Sequence, residues 1–150
     1  MKIYIDADAC PNAIKEILFK VARNRRIAIC FVANRVLHLP KHPLISSIQV
    51  SQGFDVADDE IVARVNKNDL VITQDIPLAH EILIKGANAM TPRGLELNLE
   101  NIKEKLAVRD LKESLRSFGQ MTGGPSPQSP QTIQSFANTL DRMITRLSNL

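Results

Sequence analysis

The chain has 150 residues, of which 44% are hydrophobic and 23% are charged, as expected for one globular domain. Nineteen Lys and Arg residues against sixteen Asp and Glu residues give a net charge of +3, which suits a nucleic-acid partner but also many enzymes. Aromatic residues make up only 4%, so any nucleic-acid contact should run through phosphates rather than through stacked bases. Two cysteines without a CxxC pair exclude a disulfide framework and a zinc ribbon. Acids near the amino terminus and the lack of a long apolar run predict a soluble, cytoplasmic protein without membrane contact.

Apolar runs alternate with helical patterns along the first hundred residues. The predicted strands are Lys2–Ile5, Ile27–Val32, Ile48–Val50, Leu70–Thr73 and Ala87–Met90. The predicted helices run from Pro11 to the basic residues at 23–26, and over Asp58–Val65, Leu78–Ile84 and Ile102–Leu115. Strands that are continuously apolar indicate a sheet covered on both faces. The pattern therefore predicts an α/β fold, a three-layer sandwich with a mainly parallel central sheet and additional C-terminal helices.

The last third of the chain changes character. Residues 119–131 contain three Gly and three Pro, which predicts a loop or linker. Residues 132–149 place Phe136, Leu140, Ile144 and Leu147 on one helical face. We expect this helix to dock on the rest of the chain, so that residues 1–150 form a single domain.

Acidic residues follow two of the predicted strands, at the edge where parallel sheets bind ligands. Asp6 and Asp8 follow the first strand, Asp75 follows the strand Leu70–Thr73, and Asp58 and Asp59 begin a helix. Carboxylates that share one edge repel each other, and a hard divalent cation such as Mg²⁺ removes that cost. Such an ion can polarise a phosphoryl oxygen and supply a hydroxide. The five acids therefore form a candidate site for Mg²⁺ or Mn²⁺.

Each of these acids also has a purely structural interpretation. Asp58 and Asp75 stand where a helix prefers an N-cap, and Asp8 could cap the helix that begins at Pro11. Asp6 is harder to explain in this way, because an acid joined to a buried strand needs a partner. Cys10, at the start of the same helix, is either a thiol of lowered pKa or a small packed side chain.

Several longer motifs resemble one protein family. They are Asp6–Pro11, Val32–Arg35, Gly53–Val62, Asp69–Thr73, Asp75–Ala79, Pro92–Gly94 and Thr122–Pro125. Together they resemble the YaiI/YqxD family of bacterial proteins over nearly the whole chain. The fold of that family is similar to that of PIN/NYN-like nucleases, which have an acidic pocket for Mg²⁺ or Mn²⁺.

The resemblance to active PIN-like enzymes assigns a role to individual residues. It implies a first-strand acid at Asp6, a central acid at Asp58 or Asp59, and an acid after the fourth strand at Asp75. We expect Asp6, Asp58 and Asp75 to be the catalytic, metal-binding acids, with Asp8 and Asp59 as auxiliary metal ligands. Where many such nucleases carry a further acid, this chain has Thr91–Gly94, and its arginine can hold a phosphate but no metal. Arg35 and Arg93 both follow predicted strands at the acidic edge, so we expect both to bind phosphate. The expected activity is metal-dependent hydrolysis of phosphodiester bonds, with single-stranded RNA as substrate and water as nucleophile.

Two alternatives belong to other functional classes. Asp6 and Asp8 also resemble the nucleophile and the general acid of haloacid-dehalogenase-type phosphatases, with Thr73 as the hydroxyl and Lys85 as the balancing cation. The second alternative is a non-catalytic RNA-binding module with a decayed PIN-like pocket, supported by basic residues such as Arg35 and Arg93.

Overall fold

A computed structural model describes residues 1–53, 56–107 and 129–148. These residues contain one six-stranded sheet and five α-helices. The strands are β1 (Lys2–Asp6), β2 (Ala28–Ala33), β3 (Ile45–Gln49), β4 (Leu70–Ile72), β5 (Asn88–Met90) and β6 (Glu96–Leu97). The helices are α1 (Asn12–Arg25), α2 (Val56–Arg64), α3 (Ile76–Ile84), α4 (99–107) and α5 (Pro130–Ser148). The strand order is β3-β2-β1-β4-β5-β6, and only β6 pairs in the antiparallel sense among them.

The sheet is covered on both faces, which confirms the predicted three-layer α/β fold. Successive residues of a strand point to opposite faces, so Ile3 and Ile5 enter one core and Tyr4 enters the other. The first core is closed by α1 and α5, and the second by α2, α3 and α4. Because neither face of β1 meets solvent, every position from Ile3 to Ile5 is apolar and buried.

Most elements occur where the sequence predicts them, with a few corrections. The third strand begins at Ile45 rather than at Ile48. Its exposed Ser46 and Ser47 interrupt the apolar pattern, so the start of this strand cannot be recognised from hydrophobicity alone. The sequence does not predict the two-residue strand β6. Helix α2 begins at Val56, so Asp58 lies inside the first turn instead of at the cap.

The last helix begins at Pro130, two residues earlier than predicted. Its residues Phe136 and Leu140 are buried in the first core together with α1. The Thr139 hydroxyl donates a 2.6 Å hydrogen bond to the carbonyl of Gly94, and Arg25 pairs with Asp141 at 2.7 Å. The predicted linker 119–131 lies outside the described residues except for its last three positions. The predicted helix Ile102–Leu115 is described only as far as residue 107, where it forms part of α4.

The order of the strands reverses between β1 and β4, and in open α/β sheets such a reversal leaves a crevice at the carboxyl edge. The chain runs outward from β1 to β2 and β3, and then returns to place β4 on the other side of β1. Helices α1 and α3, which follow β1 and β4, pack on opposite faces. At such a reversal the carboxyl ends of the two strands are left uncovered, and open α/β sheets bind ligands there. None of the described helices is long and apolar enough to cross a membrane.

Candidate functional site

Asp6 is the last residue of β1 and lies at the reversal between β1 and β4. Its side chain is partly buried. Burial raises the pKa of the Asp6 carboxyl above its ordinary value of 3.8, and the negative charges of Asp8 and Asp75 raise this pKa further. The backbone amide of Asp8 acts in the opposite direction, but its effect is smaller. Three of the predicted site acids thus come close enough to act on one another.

Asp8 lies in a short 3-10 turn over Ala7–Ala9, between β1 and α1. One carboxylate oxygen accepts a 2.9 Å hydrogen bond from the backbone N–H of Asn34, and the other lies 3.8 Å from Nε of Arg35. The N-cap of α1 is Pro11, without a side-chain cap. The interpretation of Asp8 as the cap of α1 is therefore wrong, since its carboxylate instead anchors the loop after β2.

Asp75 is the N-cap of α3, as its structural interpretation required. Its Oδ1 accepts a 3.0 Å hydrogen bond from the N–H of Leu78, and its own N–H donates to the hydroxyl of Thr73 at 3.0 Å. Capping fixes the orientation of this carboxylate at the end of β4. Because Asp75 also raises the pKa of Asp6, the cap and the site interpretations are both compatible with its position.

Asp58 and Asp59 occupy the first turn of α2. Asp58 is half-buried and interacts with other groups of the protein, whereas Asp59 is exposed. The acids that act on the pKa of Asp6 are Asp8 and Asp75. The structure therefore brings together three of the five predicted metal ligands, and the participation of Asp58 and Asp59 stays a prediction.

Arg35 and Arg93 both lie at the same edge as the acids. Arg35 follows β2 and pairs with Asp8, while 60% of its side chain remains exposed. Arg93 is an exposed residue of the loop between β5 and β6. That loop is held by a 2.9 Å hydrogen bond from the N–H of Thr91 to the carbonyl of Leu95. Both arginines are thus carried on loops at the carboxyl edge of the sheet.

A closed metal site is not preformed at this edge. Within residues 1–53, 56–107 and 129–148, no three His, Cys, Asp or Glu side chains are gathered so as to hold a metal ion. Mg²⁺ does not need such a group, since it usually keeps several waters and binds one or two carboxylates plus substrate phosphates. Asp6, Asp8 and Asp75 supply carboxylates of this kind at the end of β1 and the start of α3, and a cation there would offset the mutual repulsion that raises the pKa of Asp6. The arrangement fits a hydrated Mg²⁺ or Mn²⁺ held by Asp6 together with Asp8 or Asp75.

Cys10 and Lys85, the other residues considered for a chemical role, do not suit those roles. Cys10 is buried in the first core, and this burial raises the pKa of its thiol to about 12, which supports the packed-thiol interpretation over a thiol of lowered pKa. Lys85 lies at the C-cap of α3, about 15 Å of helix away from Asp75, and donates a hydrogen bond to the carbonyl of Val62. It therefore stands at the opposite edge of the sheet from Asp6 and does not supply the cation that a phosphatase would need there.

Two features of the site were not found in the sequence. The first is the anchoring of Asp8 by the N–H of Asn34, a contact over 26 residues. The second is the reversal of strand order that puts β1 beside β4. A backbone amide carries no sequence signal, but the motif Val32–Arg35 directly after a strand marks the segment that supplies it.

Comparisons with known proteins give a family but no activity. A family model described as "Uncharacterized BCR, YaiI/YqxD family" matches residues 4–146. A UPF0178 protein of Shewanella amazonensis is 53% identical over 98% of this chain and 99% of its own length. A UPF0178 protein of Colwellia psychrerythraea is 55% identical over 97% of both chains. No solved structure matches the chain significantly, so the likeness to PIN-domain nucleases stays a prediction.

Proposed function

The chain belongs to the YaiI/YqxD family, and we propose that it is a metal-dependent nuclease that hydrolyses phosphodiester bonds in single-stranded RNA. The observation that carries this proposal is the gathering of Asp6, Asp8 and Asp75 at the reversal of strand order between β1 and β4, where burial and the two neighbouring charges raise the pKa of Asp6. Acids that are destabilised in this way are common at functional sites. A cation at this position would be favoured by all three charges.

The residues at the carboxyl ends of the strands would have distinct roles. Asp6, with Asp8 or Asp75, would hold Mg²⁺ or Mn²⁺, which when bound polarises a phosphoryl oxygen and lowers the pKa of a coordinated water. Asp58 and Asp59 complete the ligand set that the resemblance implies. The N–H groups of Asn34 and Leu78 hold Asp8 and Asp75 in place, so neither carboxylate has to be ordered when a substrate binds.

The arginines point to a polyanionic substrate. Arg35 and Arg93 flank the acids on two loops, and each could grip a phosphate on one side of the crevice. With few aromatic side chains in the chain, recognition through the backbone of a single strand is more favourable than recognition by base stacking. Both cysteines are free, which agrees with action in the reducing cytoplasm.

The test is cleavage of a labelled single-stranded oligoribonucleotide in Mn²⁺ and in EDTA. We expect Asp75→Asn to abolish Mn²⁺-dependent cleavage while binding stays equal or becomes tighter, because one negative charge is removed. Asparagine is also a good N-cap, so α3 should keep its start. Arg93→Ala should weaken binding and flatten its salt dependence by about 0.7 in the log–log slope.

The matched control is Arg23→Ala, which removes an exposed arginine near the end of α1, at the opposite edge of the sheet. It should leave cleavage and the salt slope unchanged. Binding without cleavage in any metal would replace the nuclease by the non-catalytic RNA-binding module. Cleavage that survives Asp6→Asn combined with Asp75→Asn would contradict the assignment of the site.

A further inference from the structure

A cleft of about 350 Å³ opens next to the acidic edge. Its walls are α1, which contributes Lys15, Glu16 and Phe19, and the β2–β3 loop, which contributes Arg35, Val36 and Leu37. The cleft exists because the crossover from β2 to β3 contains no helix. Residues 34–44 pass along the sheet without regular structure, and they leave room against α1 that a crossover helix would fill.

The cleft is joined to the candidate metal site through Arg35. This residue lines the cleft and also pairs with Asp8 at 3.8 Å. The preceding residue, Asn34, donates its N–H to the second oxygen of Asp8. The wall of the cleft and the acidic edge are therefore fixed by the same carboxylate, and a chain bound at the acids would pass the mouth of the cleft.

The lining combines an apolar surface with basic groups. Val36 is 69% exposed and contributes an apolar surface to the wall of the cleft. Below it, the Phe19 ring packs against Phe31 with the ring centroids 5.6 Å apart, so the floor is part of the core. Lys15 and Arg35 bring positive charge to the lining, and Glu16 brings one negative charge. A ligand that suits this surface has a flat, partly apolar body and an anionic group.

We propose that the cleft binds one nucleotide unit of the single strand, adjacent to the phosphodiester bond that is cleaved. The base and ribose lie against Val36 and Leu37, and the phosphate is held by Lys15 and Arg35. A volume of about 350 Å³ is near the lower limit for small-molecule sites, which suits a single nucleotide. This inference rests on the proposed function, because it takes the acidic edge as the place of cleavage.

The test measures binding in EDTA, so that it does not depend on catalysis. A fluorescein-labelled single-stranded oligoribonucleotide is the probe, and adenosine monophosphate and adenosine are competitors. We expect the monophosphate to displace the probe and adenosine to do so much more weakly. Lys15→Ala should weaken probe and monophosphate binding about tenfold, the usual effect of a lost hydrogen bond to a charged group.

Two further variants separate a local effect from a general one. Val36→Asp places a carboxylate on the apolar wall and should weaken binding at least as much as Lys15→Ala. Since Val36 is exposed, we expect no loss of stability. Lys20→Ala is the matched control, because Lys20 is on α1 but lines a different depression, facing α5. It should change the affinity less than twofold.

The proposal is overturned if Lys15→Ala and Val36→Asp bind the probe as tightly as the control Lys20→Ala and the original chain. It is also overturned if the monophosphate binds without displacing the probe, since the cleft would then serve a free nucleotide and not the strand. If the expected binding pattern is found but no metal supports cleavage, the cleft stands and the nuclease activity fails. If cleavage is normal and Lys15→Ala leaves KM unchanged, the nuclease stands and the cleft fails.

Discussion

Each of the two edges of the sheet places a carboxylate close to the core, but the groups that surround the two carboxylates differ. Asp69, before β4, is only 7% exposed. Its two oxygens accept hydrogen bonds from the backbone N–H groups of Lys2 at 2.9 Å and Asn66 at 2.8 Å. Asp6, after β1, meets two other acids, and its pKa is raised by burial and by their charge.

Burial alone therefore does not mark a functional acid. A carboxylate can be buried at low cost when backbone donors satisfy its oxygens, and Asp69 ties the starts of β1 and β4 together in this way. Asp6 instead carries an electrostatic cost that an external cation would remove. The edge at which the parallel strands begin (the amino edge) therefore has a structural role. The edge at which they end (the carboxyl edge) holds the candidate site.

The largest effect is expected from a glycine at the carboxyl edge. Gly94 follows β5 with φ +92°, and a Cβ there would lie 2.5 Å from the carbonyl carbon of Ser135 in α5. Because the obstacle is backbone, Gly94→Ala should lower the free energy of unfolding by about 4 kcal/mol, as measured by urea denaturation.

The matched control for Gly94 lies at the amino edge. Gly86 has a similar φ of +94°, but its added Cβ would meet only the side chain of Lys67 at 3.8 Å. Gly86→Ala should therefore cost about 1 kcal/mol, the strain of the left-handed conformation alone. Equal losses for the two variants would show that α5 does not press on the loop that carries Arg93.

A smaller loss is expected when the structural acid is removed. Asp69→Ala leaves the N–H groups of Lys2 and Asn66 without their acceptor and should lower stability by about 3 kcal/mol. Asp69→Asn keeps one acceptor oxygen and should cost about half as much. If both variants are as stable as the original chain, the contrast between the two edges is wrong.

The smallest effect has the opposite sign. Because the pKa of Asp6 is raised in the folded state, the stability from this group is fully present below its ordinary pKa of 3.8 and is lost as the pH rises through the folded pKa. Asp6→Asn should therefore raise the free energy of unfolding of the metal-free protein at pH 7. This gain should be smaller than the losses expected for Gly94→Ala and Asp69→Ala. Denaturation midpoints at several pH values should show the gain vanishing below pH 3.8.

The fold was largely predictable from the sequence because its strands are buried on both faces. Continuous apolar runs such as Ile3–Ile5 and Leu70–Ile72 have no other use in a domain of this size. The edge strands were located poorly or missed. β3 alternates with exposed serines, and β6 has only two residues, so neither carries enough hydrophobic pattern to identify it.

The site was predictable only in part, for a different reason. Strand ends marked Asp6, Asp8 and Asp75 as neighbours, because parallel strands finish at one edge. The hydrogen-bond partner of each carboxylate is set by contacts between residues far apart in the chain, such as Asp8 with Asn34. Local sequence does not encode such contacts. The same holds for Asp69, whose bond to Lys2 spans 67 residues.

Mn²⁺ binding to the metal-free protein tests the central claim most directly. In thermal or urea unfolding, Mn²⁺ at about 100 times its dissociation constant should add about 2.7 kcal/mol to the stability of the original chain. Asp6→Asn should lose most of this gain, whereas Asp69→Asn, the same change of charge at the other edge, should keep it. Equal stabilisation of the original chain and Asp6→Asn by Mn²⁺ would contradict a metal site at the carboxyl edge.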